Sequence, residues 1–300
     1  MSQFDRQSFL GPTSEQDLSS VTVGLLGLGG GGSHVALQLA HLGVGGFILV
    51  DPDTIDDTNL NRLVCGTLAD VETKELKVKI AERTIRRVLP SARTSTHAKA
   101  WQEVATELKH CDIIIGGLDS VIAKDQIDRF CKRFLIPYID MGMDVHEVAG
   151  GYLVAGQVVL TLPDGPCLRC LGVVTEAALA TEARRYGAAG ANPQVVWPNG
   201  VLASTAVGLF TQLVCPWHDK PMEAAYMEYD GNKHTVSPSM RLAVVGNRPC
   251  SHHNVNETGE ARFDIRTRPM PENVEAATSA VVGSMPPKWW NIAVRFLKGR

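Results

Sequence analysis

Apolar residues in this chain fall into short runs separated by polar, helix-spaced segments. Residues 21–26 (VTVGLL) form an unbroken apolar run of strand length. Val35, Leu39 and Leu42 then recur at helical spacing within 33–42. Gly43, Gly45 and Gly46 stop that helix, since glycine suits the left-handed cap. A second run, 47–50 (FILV), predicts the next strand and ends on Asp51. The alternation continues with helix over 71–88, strand over 111–117, helix over 121–134 and strand over 136–140. Residues 152–162 (YLVAGQVVLTL) predict a further strand, antiparallel to the others. The apolar segment 201–214 predicts a helix, and 224–229 and 241–245 predict late strands.

Strands alternating with helices predict an α/β fold, a Rossmann-like domain with a mixed, mostly parallel sheet. No internal repeat is evident. Residues 1–20 read as an N-terminal arm with a polar linker over 13–20, residues 21–253 as one domain, and 254–300 as a C-terminal extension. The ending PPKWWNIAVRFLKGR sets Trp289, Trp290, Ile292, Val294 and Phe296 beside Lys and Arg. It predicts either a helix docked on the domain or a partner-binding or self-associating tail.

Composition narrows the class. The 300 residues are 44% hydrophobic and 20% charged, with formal net charge -3, which is ordinary globular composition. The near-neutral balance gives no reason to expect a nucleic-acid or membrane surface. No apolar run approaches the ~20 residues needed to span a bilayer. The start, MSQFDRQSFLG, lacks the charged and apolar regions of a secretory signal, so a cytoplasmic protein is expected. Seven cysteines are scattered along the chain. In a reducing compartment, the pair in PCLRC favours metal or redox chemistry over a structural disulfide.

The glycines after the first strand suggest chemistry. Gly27, Gly29 and Gly32 fit GxGxxG. The first permits a tight turn, the second lets backbone approach a phosphate, and the third lets the next helix pack closely. A helix N-terminus supplies free N–H groups to an anion. Asp51 stands at the carboxyl end of the second strand, where an acid accepts hydrogen bonds from ribose hydroxyls. A nucleotide site is expected, with an unliganded glycine turn as the alternative. The segment DPDTIDDTNLNR and the downstream Lys77 then bring in Asn59, Arg62 and Lys77. Such a cluster suits ATP, whose phosphates call for a bidentate fork and a point charge, better than a redox dinucleotide. The alternative for Lys77 is a solvated helix face beside Lys74 and Lys79.

These motifs together resemble the ThiF/MoeB/HesA family, bacterial relatives of the ubiquitin-activating enzymes. GLGGGGS resembles the family's nucleotide loop and adds Gly30 to it. DPDTIDDTNLNR resembles DxDxVxxxNLNRQ, with Leu63 where Gln is usual. Lys77 aligns with the phosphate-contacting lysine after a small insertion. In CDIIIGGLDS, Asp119 matches the Mg-linked aspartate, Ser120 replaces the usual Asn, and Lys124 stands where Arg is frequent. FDRQSFLG resembles the YxRQ segment, whose arginine reaches the ATP of the other subunit. The resemblance makes Arg6 a residue acting in trans within a homodimer. By position alone, Arg6 is a solvated side chain on a terminus. The similarity runs from about residue 4 to 253.

The resemblance implies an adenylyltransferase fold and activity. A carboxylate joins the α-phosphate of ATP and pyrophosphate leaves. The carboxylate is commonly the C-terminal glycine of a ubiquitin-like or sulfur-carrier protein. Positioning and positive charge carry such chemistry. Asp119 would hold Mg²⁺, and Arg62 and Lys77 would neutralise phosphate oxygens. The carboxylate is already ionised near neutral pH, so no general base is needed. The family pairs CxxC with a second CxxC near the domain's end, where this chain has RPCSHH. His253 occupies the fourth cysteine's spacing. The resemblance thus implies a closed structural Zn²⁺ site of Cys167, Cys170, Cys250 and His253. His252 is the substitute, and a redox pair or free thiols are the alternatives.

The crossover loop expected within 172–201 contains no cysteine. A released or channelled acyl-adenylate is therefore expected, not a thioester. Cys65, Cys111 and Cys131 fall in the nucleotide half, and Cys215 follows the apolar helix segment. Three other functions compete. Adenylation of a small or tRNA-borne carboxylate, as in threonylcarbamoyladenosine dehydratases, is disfavoured by the neutral charge and the zinc pattern. An NAD-dependent oxidoreductase is disfavoured by Arg62 and Lys77. A binding module without catalysis is disfavoured by the full set Arg6, Asp51, Arg62, Lys77 and Asp119.

Overall fold

A computed structural model describes residues 3–184, 193–218, 222–246, 248, 250–253 and 258–259. A 3-10 turn over Asp5–Leu10 leads into α1 (Ser14–Ser20), β1 (Thr22–Leu26), α2 (Gly30–Leu42) and β2 (Gly46–Val50). Next come α3 (Leu68–Thr73), α4 (Lys77–Val88), β3 (Arg93–His97), α5 (Ala105–Leu108), β4 (Ile113–Gly116) and α6 (Val121–Phe134). Then follow β5 (Tyr138–Val148), β6 (Gly151–Thr161), α7 (Glu176–Arg184), α8 (Val196–Val214), β7 (Ala225–Asp230), β8 (Thr235–Pro238) and α9 (Met240–Val245).

Among the described residues the strands form one sheet of order β3-β2-β1-β4-β5-β6-β7-β8. The first five in that order run parallel, and β6, β7 and β8 continue it antiparallel. The expected mixed sheet is present. A parallel strand covered on both faces must be apolar throughout, which is why β2 reads GFILV with every residue buried. One face packs Val23, Leu25, Phe47 and Ile115 beneath Val35 and Leu39 of α2 and Leu202 and Phe210 of α8. The other packs Leu26, Ile48, Ile114 and Tyr138 beneath Ile127 and Cys131 of α6. Strand order reverses at β1, between β2 and β4, so a crevice opens at the carboxyl ends of β1 and β4.

The structure corrects several sequence expectations. Within the expected arm, residues 3–20 are anchored to the domain. The supposed linker is α1, and it lies in the compact unit Met1–Trp217 with Met222–Thr258. Two apolar anchors in a polar stretch explain this, since Leu10 and Leu18 are both buried. Gln7 Nε2 also donates to the Leu42 carbonyl at the end of α2 (3.0 Å). The expected helix 71–88 is interrupted at Lys74, which adopts the left-handed conformation (φ 51°) as the cap of α3. The expected strand 241–245 is helical, because Ser239 caps it by accepting from the Arg241 N–H (3.2 Å). The polar strands β3 (RTSTH) and β8 (TVSP) carry no apolar run to announce them. The expected role of the C-terminal tail, including Trp289 and Trp290, lies outside the described residues. Among those described, no helix is long and apolar enough to cross a membrane.

If α1 belongs to the core, Leu18→Ala lowers unfolding stability by about 2–5 kcal/mol, the cost of emptying a fully buried leucine site. Urea denaturation measures this. An unchanged midpoint and slope would restore the free-arm reading.

Candidate nucleotide site and metal centre

The glycine loop is shaped by contacts no other residue allows. Gly27 turns with φ 81°, and a side chain there would lie 2.7 Å from the Gly117 carbonyl oxygen. At Gly32 an added Cβ would stand 1.9 Å from the Gly27 carbonyl oxygen. Gly32 therefore lets α2 close on the turn, and it is absent from the cavity wall. At Gly29 an added Cβ would meet nothing within 4 Å. No side chain caps α2, so its first N–H groups face an open crevice.

That crevice is a cavity of about 320 Å³. Gly27, Gly29, Gly30, Asp51, Arg62, Lys77 and Asp119 all line it. Asp51 is buried at the end of β2, where the Leu28 N–H donates to Oδ2 (2.6 Å) and the Asp53 N–H to Oδ1 (2.9 Å). Desolvation pushes its carboxyl upward, and the charge of Lys77 is the largest opposing effect. Its visible work is to brace the glycine loop against the β2 turn. Lys77 begins α4 and pairs with Asp53 (2.8 Å). Arg62 Nη1 donates to Asn61 Oδ1 (3.0 Å). Asp119 is exposed beyond the end of β4.

Asn59 departs from its expected place. It is buried and does not line the cavity. The Asn59 N–H donates to Asp56 Oδ1 (3.1 Å), and Asn59 Oδ1 accepts from the Asp56 N–H (3.4 Å), which closes a reciprocal cap. That cap shapes the turn from which Arg62 projects. Arg6 is exposed and absent from this wall. Its neighbour Gln7 holds the carboxyl end of α2, while the glycines sit at the amino end. The 13 residues of α2 put about 20 Å between the two.

Ser120 and Lys124 also have defined work. Ser120 caps α6, its Oγ accepting from the Ala123 N–H (3.0 Å). Lys124 is buried, with Nζ on Asp140 Oδ2 (2.8 Å) and the Met141 carbonyl (3.0 Å). Desolvation raises the Asp140 carboxyl, and Lys124 is the largest opposing influence. Sequence reasoning missed Asp53, Trp101, Gln194 and Asn199, which also line the cavity. Asn199 of α8 is buried, and its Nδ2 would lie 2.6 Å from a Cβ at Gly30. Its distance along the chain left no local motif to find.

The cysteines gather elsewhere. Cys167, Cys170 and Cys250 converge with His252. Cys170 Sγ lies 3.6 Å from the sulfurs of both Cys167 and Cys250. His252 Nδ1 stands 3.5, 3.3 and 3.9 Å from the three sulfurs. His253 was the expected fourth member; the structure sets His252 beside all three sulfurs and His253 beside Cys167 and Asp128. The His252 N–H donates to Cys250 Sγ (3.3 Å), a tight turn that returns residue 252 to the sulfurs. His253 instead points its buried Nε2 toward Asp128, at 3.9 Å. A tetrahedron with metal–sulfur bonds of about 2.3 Å has edges of about 3.8 Å, so the cluster fits a closed four-ligand metal site. Hydrogen bonding from Cys167 holds the Cys250 thiol well below its ordinary range and leaves Cys167 correspondingly raised.

α6 carries the first knuckle of this cluster. Asp125 pairs with Arg169 (2.6 Å), Asp128 accepts from the Leu168 N–H (2.9 Å), and Lys132 donates to the carbonyls of Leu162 and Gly165. Cys111, Cys131 and Cys215 are buried with desolvation raising their thiols, whereas Cys65 is exposed.

A reversed strand order, a glycine loop on an uncapped helix and basic side chains around one crevice define a nucleotide-binding α/β protein. The chain belongs to the ThiF family, which matches residues 3–251. It is 31% identical over 163 residues to the SAMP-activating enzyme E1 of Haloferax volcanii, covering 54% of this chain and 57% of that one. It is 28% identical to the sulfur carrier protein adenylyltransferase of Thermus thermophilus, covering 85% and 94%. The chain spans 51–57% of the length of the first three curated relatives it matches. Its fold matches E. coli MccB, solved with ATP, at TM-score 0.65 and 19% identity, over 80% of this chain and 71% of that one.

Proposed function

We propose that this chain is an adenylyltransferase that joins the C-terminal carboxylate of a small ubiquitin-like or sulfur-carrier protein to the α-phosphate of ATP. One observation carries the reading: the open N-terminus of α2, Arg62, Lys77 and Asp119 meet in one cavity. The α2 N–H groups and the Gly29 backbone bind phosphate oxygens. Arg62 and Lys77 neutralise charge that builds at phosphorus as the carboxylate attacks and pyrophosphate leaves. Lys77 exchanges its Asp53 partner for phosphate. Asp119 would hold Mg²⁺, which would offset the negative charge of the phosphates. The likeness to a SAMP-activating enzyme and a sulfur carrier protein adenylyltransferase supports a carrier protein as the acyl donor.

Zn²⁺ is the metal suited to three thiolates and an imidazole, and with four protein ligands it is structural. Such thiols stay available to metal in a reducing cytosol. The enzyme works as a homodimer, and Arg6, held far from its own cavity, serves the partner's ATP. Closed two-fold dimers are the commonest assembly.

Three tests follow from this reading. ATP–pyrophosphate exchange, dependent on an added carrier protein ending in glycine, should fall about 10²-fold or more in Asp119→Ala with the circular dichroism spectrum unchanged. Exchange at the wild-type level would overturn the role of Asp119.

Elemental analysis should find one zinc per chain. Cys250→Ser and His252→Ala should lose it, and His253→Ala should keep it. Retention in His252→Ala with loss in His253→Ala would return the fourth position to His253.

Arg6→Ala and Asp119→Ala, each inactive alone, should recover part of the wild-type rate when mixed and allowed to exchange subunits. One site of the mixed dimer then holds a native Asp119 and a native partner arginine. No recovery after confirmed exchange would remove Arg6 from the active site.

A further inference from the structure

Gln194 stands between two parts of the cavity rim that the sequence keeps far apart. Its Nε2 donates to Asp119 Oδ1 at 3.4 Å. Its backbone carbonyl oxygen accepts from Asn61 Nδ2 at 3.0 Å. The amide nitrogen must face Asp119, because an ionised carboxylate only accepts hydrogen bonds. Gln194 is half-buried and lines the same cavity as Asp119 and Arg62. The turn is held from a second direction too, as Glu182 Oε2 accepts from the Ile122 N–H at 3.0 Å.

We infer that Gln194 is a positioning residue for Asp119, fixing the orientation in which that carboxylate meets the divalent cation carried by the nucleotide phosphates. The inference rests on the adenylyltransferase reading. A carboxylate offers about four lone-pair directions, and Gln194 takes one on Oδ1. Oδ2 and the remaining directions stay available to the cation. An exposed aspartate otherwise rotates freely about χ1 and χ2, and binding a cation must stop that rotation. The amide stops it in advance. Asn61 makes the device rigid by holding the Gln194 backbone, which couples the NLNR segment that supplies Arg62 to the residue that aims Asp119. Gln194 thereby acts on the cation, while the backbone N–H groups of the glycine loop and α2 meet the phosphates whether or not the cation is bound.

Equilibrium binding of the fluorescent nucleotide mant-ATP tests this, first in excess EDTA and then across a Mg²⁺ titration. Gln194→Ala should keep wild-type affinity for the Mg²⁺-free nucleotide. It should need about 10-fold more Mg²⁺ for half-maximal enhancement, the usual effect of removing an outer partner from a metal-binding carboxylate. Asn61→Ala should shift the Mg²⁺ midpoint in the same direction by less. An unchanged Mg²⁺ midpoint in Gln194→Ala would overturn the inference and leave the adenylyltransferase reading standing. So would an equal loss of affinity with and without Mg²⁺, which marks a structural defect in the cavity. A wild-type protein that binds mant-ATP without any response to Mg²⁺, or does not bind it, would overturn both.

Discussion

The site depends on one close approach of backbone to backbone. Gly32 sits so near the Gly27 carbonyl that any side chain would collide with it. That approach lets the β1 turn fold onto the first turn of α2, leaving the helix N–H groups uncapped at the mouth of the crevice. The other groups in the cavity are arranged around this contact. Asp51 braces the loop from β2 through the Leu28 N–H. Asn199 presses on Gly30 from α8. A helix end without caps leaves unpaired donors, and a phosphate is the ligand that satisfies them.

α6 links the two functional centres. Its amino end follows Asp119 and is capped by Ser120. Along its length, Asp125, Asp128 and Lys132 grip the segment that delivers Cys167 and Cys170. Asp128 and Lys132 are buried charged side chains, a costly choice that hydrogen bonds to Thr161, the Leu168 N–H and the carbonyls of Leu162 and Gly165 offset. These side chains thus fasten the connection after β6, which carries Cys167 and Cys170, to the same helix that follows Asp119.

Much of the nucleotide half was legible because its signals are local. Period and glycine placement mark β1, α2 and β2, and the motif order marks Arg62, Lys77 and Asp119. Where local signals were weak, the reading erred. Residues 13–20 looked like a linker because two leucines carry their burial among polar neighbours. His253 looked like the fourth ligand because spacing counts residues along the chain, whereas the turn after Cys250 brings His252 to all three sulfurs and leaves His253 beside Cys167 and Asp128. Asn59 sits in a nucleotide motif but spends its polar groups on a cap.

By itself the sequence determined the α/β alternation, the glycine loop and a set of charged residues that line one cavity. These follow from backbone sterics and side-chain period, which operate over a few residues. Only the tertiary structure decided that Gln194 faces Asp119, that Asn199 closes on Gly30 and that His252 joins the three cysteines. Those pairings span up to 169 residues for Asn199 and Gly30 (199 − 30). They are set by how helices settle on the two faces of the sheet, and that packing leaves no periodic trace along the chain.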